Sequence, residues 1–492
     1  MSEQAVSSPT GAEQTIEQLD RSLIQGVAWT GGVKWLVQVF SWAGTLVVVR
    51  LISPEDYGVV GSAALLLGLL GLLADFGIGA AVITMRDLST ERLRQLNGAA
   101  MLFGALTALL CIAAAWPIGA FFRSTDVTMV VMAMSATLVI AGFRSVPASL
   151  LQRSMRFRTL ALIEAGQALA GMLATVALAL AGWGYWALVG GAVVQSALYT
   201  TLVLRSQPFP ASWPDRRALK EPLRLSLHVI TGQLSWWTYS NADFAIAGRV
   251  LGQATLGTYL LAWEFASLPV EKITNIVTRV TPAVFSALQN DPPALRVKLL
   301  LLTEGIATLT LPASLGLALV ADDFVALAFG SQWTAAVAPL QLLCLYISLR
   351  SVVTMLPQLL IATGDSRLTA RMGIVFVLVM PASFLVGSHW GTVGIASAWL
   401  IVFPFLNIPY YRRVFLRLEL TFGQYLGCMR RPIIGSIIMS AVLLFATEPL
   451  DANLPLAARL PLKVLLGAVI YGGMVVWPQR ERIASIFRSL RA

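Results

Sequence analysis

Charge is scarce in this chain. Asp, Glu, Lys and Arg make up 12% of its 492 residues, roughly half the share in an ordinary soluble domain. Histidine is scarcer still, limited to His228 and His389. No His-Glu-x-x-His, Cys/His cluster or Gly-x-Ser-x-Gly occurs, so zinc hydrolysis and a serine triad have no residues to rest on. The absence of a Gly-x-x-x-x-Gly-Lys-Ser/Thr loop likewise removes P-loop ATP hydrolysis. Cys111, Cys344 and Cys428 lie too far apart for a Cys-x-x-Cys site or a disulfide framework, and they read as packing residues. No catalytic residue, metal ligand set or cofactor is therefore expected. The formal charge of +10 is spread without a basic run of five or more, which argues against nucleic acid as a partner. Residues 1 to about 25 are polar and somewhat acidic, unlike the basic start of a cleavable signal.

What the chain has instead is apolar length: 57% of it is hydrophobic. The apolar residues fall in blocks of about 20, enough to cross roughly 30 Å of hydrocarbon as helix. We read about 14 spans, at 27–49, 58–82, 96–116, 127–148, 160–181, 184–204, 225–247, 254–276, 299–320, 335–361, 370–387, 391–410, 433–449 and 461–477. The expected class is an all-α polytopic membrane protein. With the N-terminus in the cytoplasm, 25 of the Lys and Arg residues fall in cytoplasmic segments and five in outer ones. Positive charge is retained on the cytoplasmic side, so both termini are expected there. The outer connections are too short for an external domain.

The two halves of the chain repeat each other. Arg50-Leu51-Ile52-Ser53 leads to Gly58 as Arg249-Val250-Leu251-Gly252 leads to Gly257; Arg144-Ser145-Val146 returns as Arg350-Ser351-Val352, and Trp183-Gly184 as Trp390-Gly391. The offsets are 199, 206 and 207 residues. Six spans per repeat keep both halves in one orientation, as in transporters built from parallel repeats. The expected organisation is a tail over 1–25, an N-lobe over 26–205, a linker over 206–224, a C-lobe over 225–411, an extra pair of spans over 412–478 and a tail over 479–492.

Polar residues inside the spans are costly against lipid and so face protein or water. Lys34, Gln38, Ser41 and Thr45 share one face of the first span. Glu264, Ser267, Glu271, Asn275 and Thr278 share one face of the eighth, and Trp236, Tyr239 and Asp243 one face of the seventh. One reading is a hydrated cavity in which cations hold a phosphate and aromatic rings stack on sugars. The bland alternative is that these groups pair with basic neighbours and fasten helices together. Arg144 and Arg350 stand at matching places and either enter the cavity or reach out to the cytoplasmic surface. Asp75, Glu164 and Glu304 read as structural. Ser53-Pro54-Glu55-Asp56 reads as a turn, with Ser53 or Asp56 capping the second span.

Several motifs together resemble the polysaccharide-transporter family, the repeat-unit flippases for O-antigen and exopolysaccharide. They are Leu51 to Gly58, Asp75 to Gly79 with Arg86-Asp87, Val146 to Arg153 with Arg156-Phe157, Gly182 to Leu188, Gly248-Arg249 with Leu256-Gly257, Pro282 to Leu288, and Ala362 to Gly364. That family belongs to a superfamily with the multidrug exporters and the peptidoglycan lipid flippase. The resemblance implies two pseudo-symmetric six-helix lobes around a V-shaped cavity, plus two C-terminal helices. It also implies alternating access and an undecaprenyl-pyrophosphate-linked glycan as substrate. On this reading Lys34 meets the pyrophosphate, with Arg144 and Arg350 as entry contacts. The glycan sits among Trp35, Gln38, Trp42, Trp236 and Tyr239, and Asp243, Glu264 and Glu271 are the acids for ion coupling. The further partners would be membrane lipid, a polysaccharide polymerase and its co-polymerase, with the carrier itself a monomer. A multidrug exporter and a non-transporting subunit of a polysaccharide assembly complex are the competing readings.

Overall fold

The structure is a computed structural model that describes residues 37–75, 77–85, 88–215, 233–446 and 454–479. Among these residues every regular element is a helix and no strand occurs. Each stretch expected to span contains helix over its described part. The helices are α1 (Val37–Leu51), α2 (Pro54–Asp75), α3 (Ile78–Thr84), α4 (Thr90–Phe122), α5 (Thr125–Arg153), α6 (Phe157–Leu180) and α7 (Tyr185–Ser206). Next come α8 (233–246), α9 (Gln253–Ala287), α10 (Pro292–Leu319), α11 (Ala321–Ala328), α12 (Val337–Val353) and α13 (Met355–Ala362). Last are α14 (Ser366–Gly387), α15 (Gly391–Leu406), α16 (Ile408–Leu418), α17 (Phe422–Cys428), α18 (Arg430–Ala446) and α19 (Leu456–Tyr471).

Among the described residues nine helical stretches are long and apolar enough to cross a membrane, ten if the bent pair Phe422–Cys428 and Arg430–Phe445 is one span. One of the nine, Ser366–Leu418, runs for 53 residues, which at about 1.5 Å per residue is more than one crossing; the short 3-10 turn Ser388–Trp390 divides it. The helix α9 falls outside the nine because Glu264, Glu271, Lys272 and Arg279 dilute its hydropathy. Large apolar side chains stand outside the fold in numbers: Leu109 is 64% exposed, Leu173 68% and Phe445 79%. Such a surface is untenable in water over this extent and natural against acyl chains.

Local chemistry sets the helix ends. Ser53 and Asp56 cap α2 reciprocally: the Asp56 N–H donates to Ser53 Oγ (3.1 Å), and the Ser53 N–H and hydroxyl both donate to Asp56 Oδ2. Both residues singled out for the cap take part. Asp291 accepts from the Ala294 N–H (3.0 Å) to start α10, and Thr421 with Gln424 forms a capping box on α17. Cys111 and Cys344 are fully buried, as packing residues would be.

The described residues gather into two compact units. The first holds residues up to 52, 66–120 and 124–215; the second holds 53–65, 121–123 and those from 233 on. The repeat is visible in the backbone of each. The turn before α7 passes through Gly184 (φ 53, ψ −132), and the turn before α15 through Gly391 (φ 66, ψ −152). Both lie where an L side chain would clash, which is why glycine follows tryptophan twice. Trp183 and Trp390 are 58% and 69% exposed, suited to an anchoring place at the membrane–water interface.

Within the second unit, the repeat partners Gly58 and Gly257 meet. A Cβ on Gly58 would lie 1.8 Å from the Gln253 carbonyl oxygen, and one on Gly257 would lie 1.8 Å from that of Pro54. The first turns of α2 and α9 can touch only because neither residue carries a side chain. Nearby, Ser62 Oγ donates to Gln253 Oε1 (2.7 Å) and the Tyr57 hydroxyl donates to Glu264 Oε2 (2.7 Å).

Candidate functional site

The first unit holds an open cavity of about 1000 Å³ bounded by α5, α6 and α7, with Gly71 of α2 and Ile83 of α3 on its wall. Arg144 lines it from α5. Its guanidinium Nη1 donates to Ser196 Oγ (2.9 Å) and to the Ser196 carbonyl oxygen (3.3 Å), with Thr200 Oγ1 at 3.4 Å. The group lies over the Tyr199 ring at 4.8 Å from the centroid, a favourable place for a cation. The Thr200 hydroxyl donates in turn to the Ile140 carbonyl oxygen (3.2 Å), tying α7 back to α5. Arg144 therefore sits inside the unit, held by the neighbouring helix, rather than reaching out to the surface. Glu164 of α6, read from sequence as a structural acid, lines the same cavity with Gln152, Gln167 and Gln195.

In the second unit the surroundings of Asp243 are densely packed. Asp243 of α8 is fully buried. Its Oδ2 accepts from Trp399 Nε1 of α15 (2.8 Å) and from the Tyr259 hydroxyl of α9 (3.0 Å), and its Oδ1 accepts from the Phe244 N–H (2.9 Å). Three donors satisfy a carboxylate that would otherwise be expensive to bury. Rings pack around it: Trp399 stacks on Tyr346 at 4.8 Å and lies 5.5 Å from Trp263 and 4.9 Å from Phe384. The seventh-span face named from sequence divides along its length. Trp236 is 52% exposed, Tyr239 packs on Phe376 at 5.2 Å, and Asp243 is sealed where α9 and α15 close over the helix. Arg350 of α12 is half-buried and near enough to Tyr239 and Tyr346 to act on both electrostatically.

On α9, Glu264, Glu271 and Asn275 are exposed, whereas Ser267 is buried and donates to the Glu264 carbonyl oxygen (3.0 Å). On α1, Gln38 and Trp42 are half-buried, and the Trp42 indole N–H is buried without a hydrogen-bond partner. Lys34 and Trp35 lie outside the described residues. The structure thus brings Arg144 together with polar groups of the first unit, and Tyr239, Asp243 and Arg350 into the second.

Sequence reasoning missed the cavity's amides and both side-chain donors to Asp243, Trp399 and Tyr259. Gln167 and Gln195 were visible as amides within apolar blocks, which is a usable signal. Trp399, 156 residues from Asp243, left none. Also unforeseen is Asp323 of α11, 4% exposed, which accepts from Lys463 (2.9 Å) and pairs with Arg459. This cluster docks α19, which lies beyond the repeat. Among the described residues no group of His, Cys, Asp and Glu could hold a metal.

Comparison with known proteins places these features. Residues 47–338 match the family described as polysaccharide biosynthesis protein. The lipopolysaccharide biosynthesis protein WzxC of Escherichia coli (strain K12) is 26% identical over 400 residues, 78% of this chain and 79% of that one. The succinoglycan biosynthesis transport protein ExoT of Rhizobium meliloti (strain 1021) is 25% identical over 454 residues, 91% of each. Among solved structures, the lipid II flippase MurJ in its inward closed conformation superposes with a TM-score of 0.73 at 12% identity, over 93% of this chain and 100% of that one. At that identity the likeness is one of fold alone, polytopic and all-helical.

Proposed function

The chain belongs to the polysaccharide biosynthesis protein family, and from that premise we propose that it is a flippase for a lipid-linked oligosaccharide. It is a multi-pass protein of the bacterial inner membrane and a transport protein rather than an enzyme. The substrate is a glycan repeat unit on undecaprenyl pyrophosphate, carried from the cytoplasmic to the periplasmic leaflet for exopolysaccharide or lipopolysaccharide synthesis. With both termini cytoplasmic, the protein works by alternating access, and a monomer hands the unit to a polymerase and its co-polymerase.

The observation that carries this reading is the outer face of α9. Glu264 and Glu271 are exposed on a helix within a chain that otherwise shows lipid apolar surface. A carboxylate facing acyl chains costs several kcal/mol, so this face requires water, and a wet crevice supplies it. Lys34 meets the pyrophosphate, with Arg144 and Arg350 as candidate entry contacts. Trp35, Gln38, Trp42, Trp236 and Tyr239 serve the glycan, whose rings have apolar faces suited to aromatic stacking. Asp243, Glu264 and Glu271 are the acids for coupling to an ion gradient. Without such drive the carrier only equilibrates the two leaflets.

The test is genetic and then biochemical. Deleting the gene should halt polymer export and leave lipid-linked glycan in the inner leaflet, with drug susceptibility unchanged. Lys34→Ala at normal membrane level should reproduce the export defect, and normal export from that variant would remove the phosphate anchor. Labelled lipid-linked glycan in reconstituted vesicles should cross only when the protein is present; no crossing would leave an accessory role.

A further inference from the structure

The cavity of the first unit carries a second message. Its wall combines one cation, Arg144, with one anion, Glu164, three amides, Gln152, Gln167 and Gln195, and the ring and phenol of Tyr199. The formal charges cancel. A pyrophosphate would bring negative charge into a half-buried site beside Glu164, where the one guanidinium already shares its donors with Ser196, and partial desolvation makes such an imbalance unfavourable. Amides suit a different ligand. Each offers donors and an acceptor side by side, as hydroxyl-rich rings require, and a carboxylate and a guanidinium extend the same planar, paired recognition. The guanidinium is already fixed by Ser196 and by the Tyr199 face, so little ordering remains when a ligand arrives. At about 1000 Å³ the space lies at the upper end of the range for small-molecule pockets, with room for a short oligosaccharide segment.

We infer that this cavity is a subsite for uncharged sugar of the transported glycan, and that Arg144 serves the glycan rather than the pyrophosphate. The inference rests on the flippase reading and adds to it a place, inside one unit, where the sugar chain is recognised.

The structure supplies a probe. At Gly71, on the cavity wall, a Cβ would meet nothing within 4 Å, so an indole there grows into the void rather than into a neighbour. Gly373 of α14, outside the cavity, is equally unobstructed and controls for bulk. The full-length protein in nanodiscs is titrated with neutral oligosaccharides released from the wild-type strain's own polymer by partial hydrolysis, and separately with inorganic pyrophosphate. Gly71→Trp should weaken oligosaccharide binding at least about tenfold, and Gln167→Leu about fivefold, the size of one or two lost hydrogen bonds. Pyrophosphate affinity should not change in either. Gln167→Glu, which keeps an acceptor and adds negative charge, should stay within about threefold for sugar, whereas an anion site would lose its ligand. Gly373→Trp should match the wild type. Oligosaccharide binding unchanged in Gly71→Trp, no binding by the wild type, or a parallel loss of pyrophosphate affinity would each overturn the subsite. A deletion strain that accumulates no lipid-linked glycan would instead defeat the flippase reading, whatever the oligosaccharides do.

Discussion

The two units of this protein begin from one repeated pattern and finish with opposite interiors. In the first, polar side chains line a void of about 1000 Å³; in the second, a buried carboxylate is sealed among rings. The repeat offset shows how. Shifted by the 207 residues that relate Trp183 to Trp390, Ala192 on the cavity wall corresponds to Trp399, and Ser196, which holds Arg144, corresponds to Phe403. Small and hydroxyl-bearing residues on α7 leave space where α15 fills it with an indole and a phenyl ring, and the Trp399 N–H then satisfies Asp243. At these two positions larger side chains accompany the change from a lined space to packed rings, as interiors with few voids larger than a water molecule require.

Five substitutions test that contrast and the contacts around it. Trp399→Ala should have the largest effect, about 3–5 kcal/mol of stability, because it opens a cavity and removes a donor from a buried carboxylate. Trp399→Phe, losing mainly the donor, should cost about 1–3 kcal/mol. Thermal unfolding of the purified protein measures both, and a wild-type melting curve for the alanine variant would mean that the surroundings of Asp243 are not densely packed. Asp323→Ala comes next at about 3 kcal/mol, since it leaves Lys463 and Arg459 without their carboxylate. Its signature would be earlier protease or cysteine-label access to α19, and unchanged access would show that the ion cluster does not dock that helix. Ala192→Trp carries the second unit's residue into the first. It should change stability by about 1 kcal/mol or less, because the indole enters existing space, yet it should abolish polymer export at normal membrane level; full export would break the comparison. Smallest is Tyr57→Phe, about 0.5–1 kcal/mol, which removes a hydrogen bond to the exposed Glu264. A larger loss would mean that this contact holds the first turns of α2 and α9 together more than the paired glycines do.

The apolar blocks and the cap of α2 were legible, because each depends on neighbours within a few residues. The blocks follow from runs of apolar side chains and the Ser53–Asp56 cap from residues three apart; the sequence offered Trp-Gly only as a repeat, and the backbone showed that each glycine turns the chain at a φ that glycine adopts at low cost. The candidate site was legible in part. Arg144 stood out as a charge in an apolar block, and the structure gives it partners 52 and 56 residues away on α7. Glu164 and Asp243 show the limit. Both are single acids within helices, yet one lines the open cavity and the other is locked under Trp399. Neither outcome follows from spacing on its own helix.

The sequence by itself determined that this chain lives in a membrane, that its halves repeat and that its few internal charges carry cost. Each of these is a property of composition and local order, and lipid enforces it span by span. Only the tertiary structure decided which polar groups meet water and which meet one another. That depends on the size of side chains facing across helices far apart in the chain, where an alanine or a tryptophan at one position leaves a space or removes it.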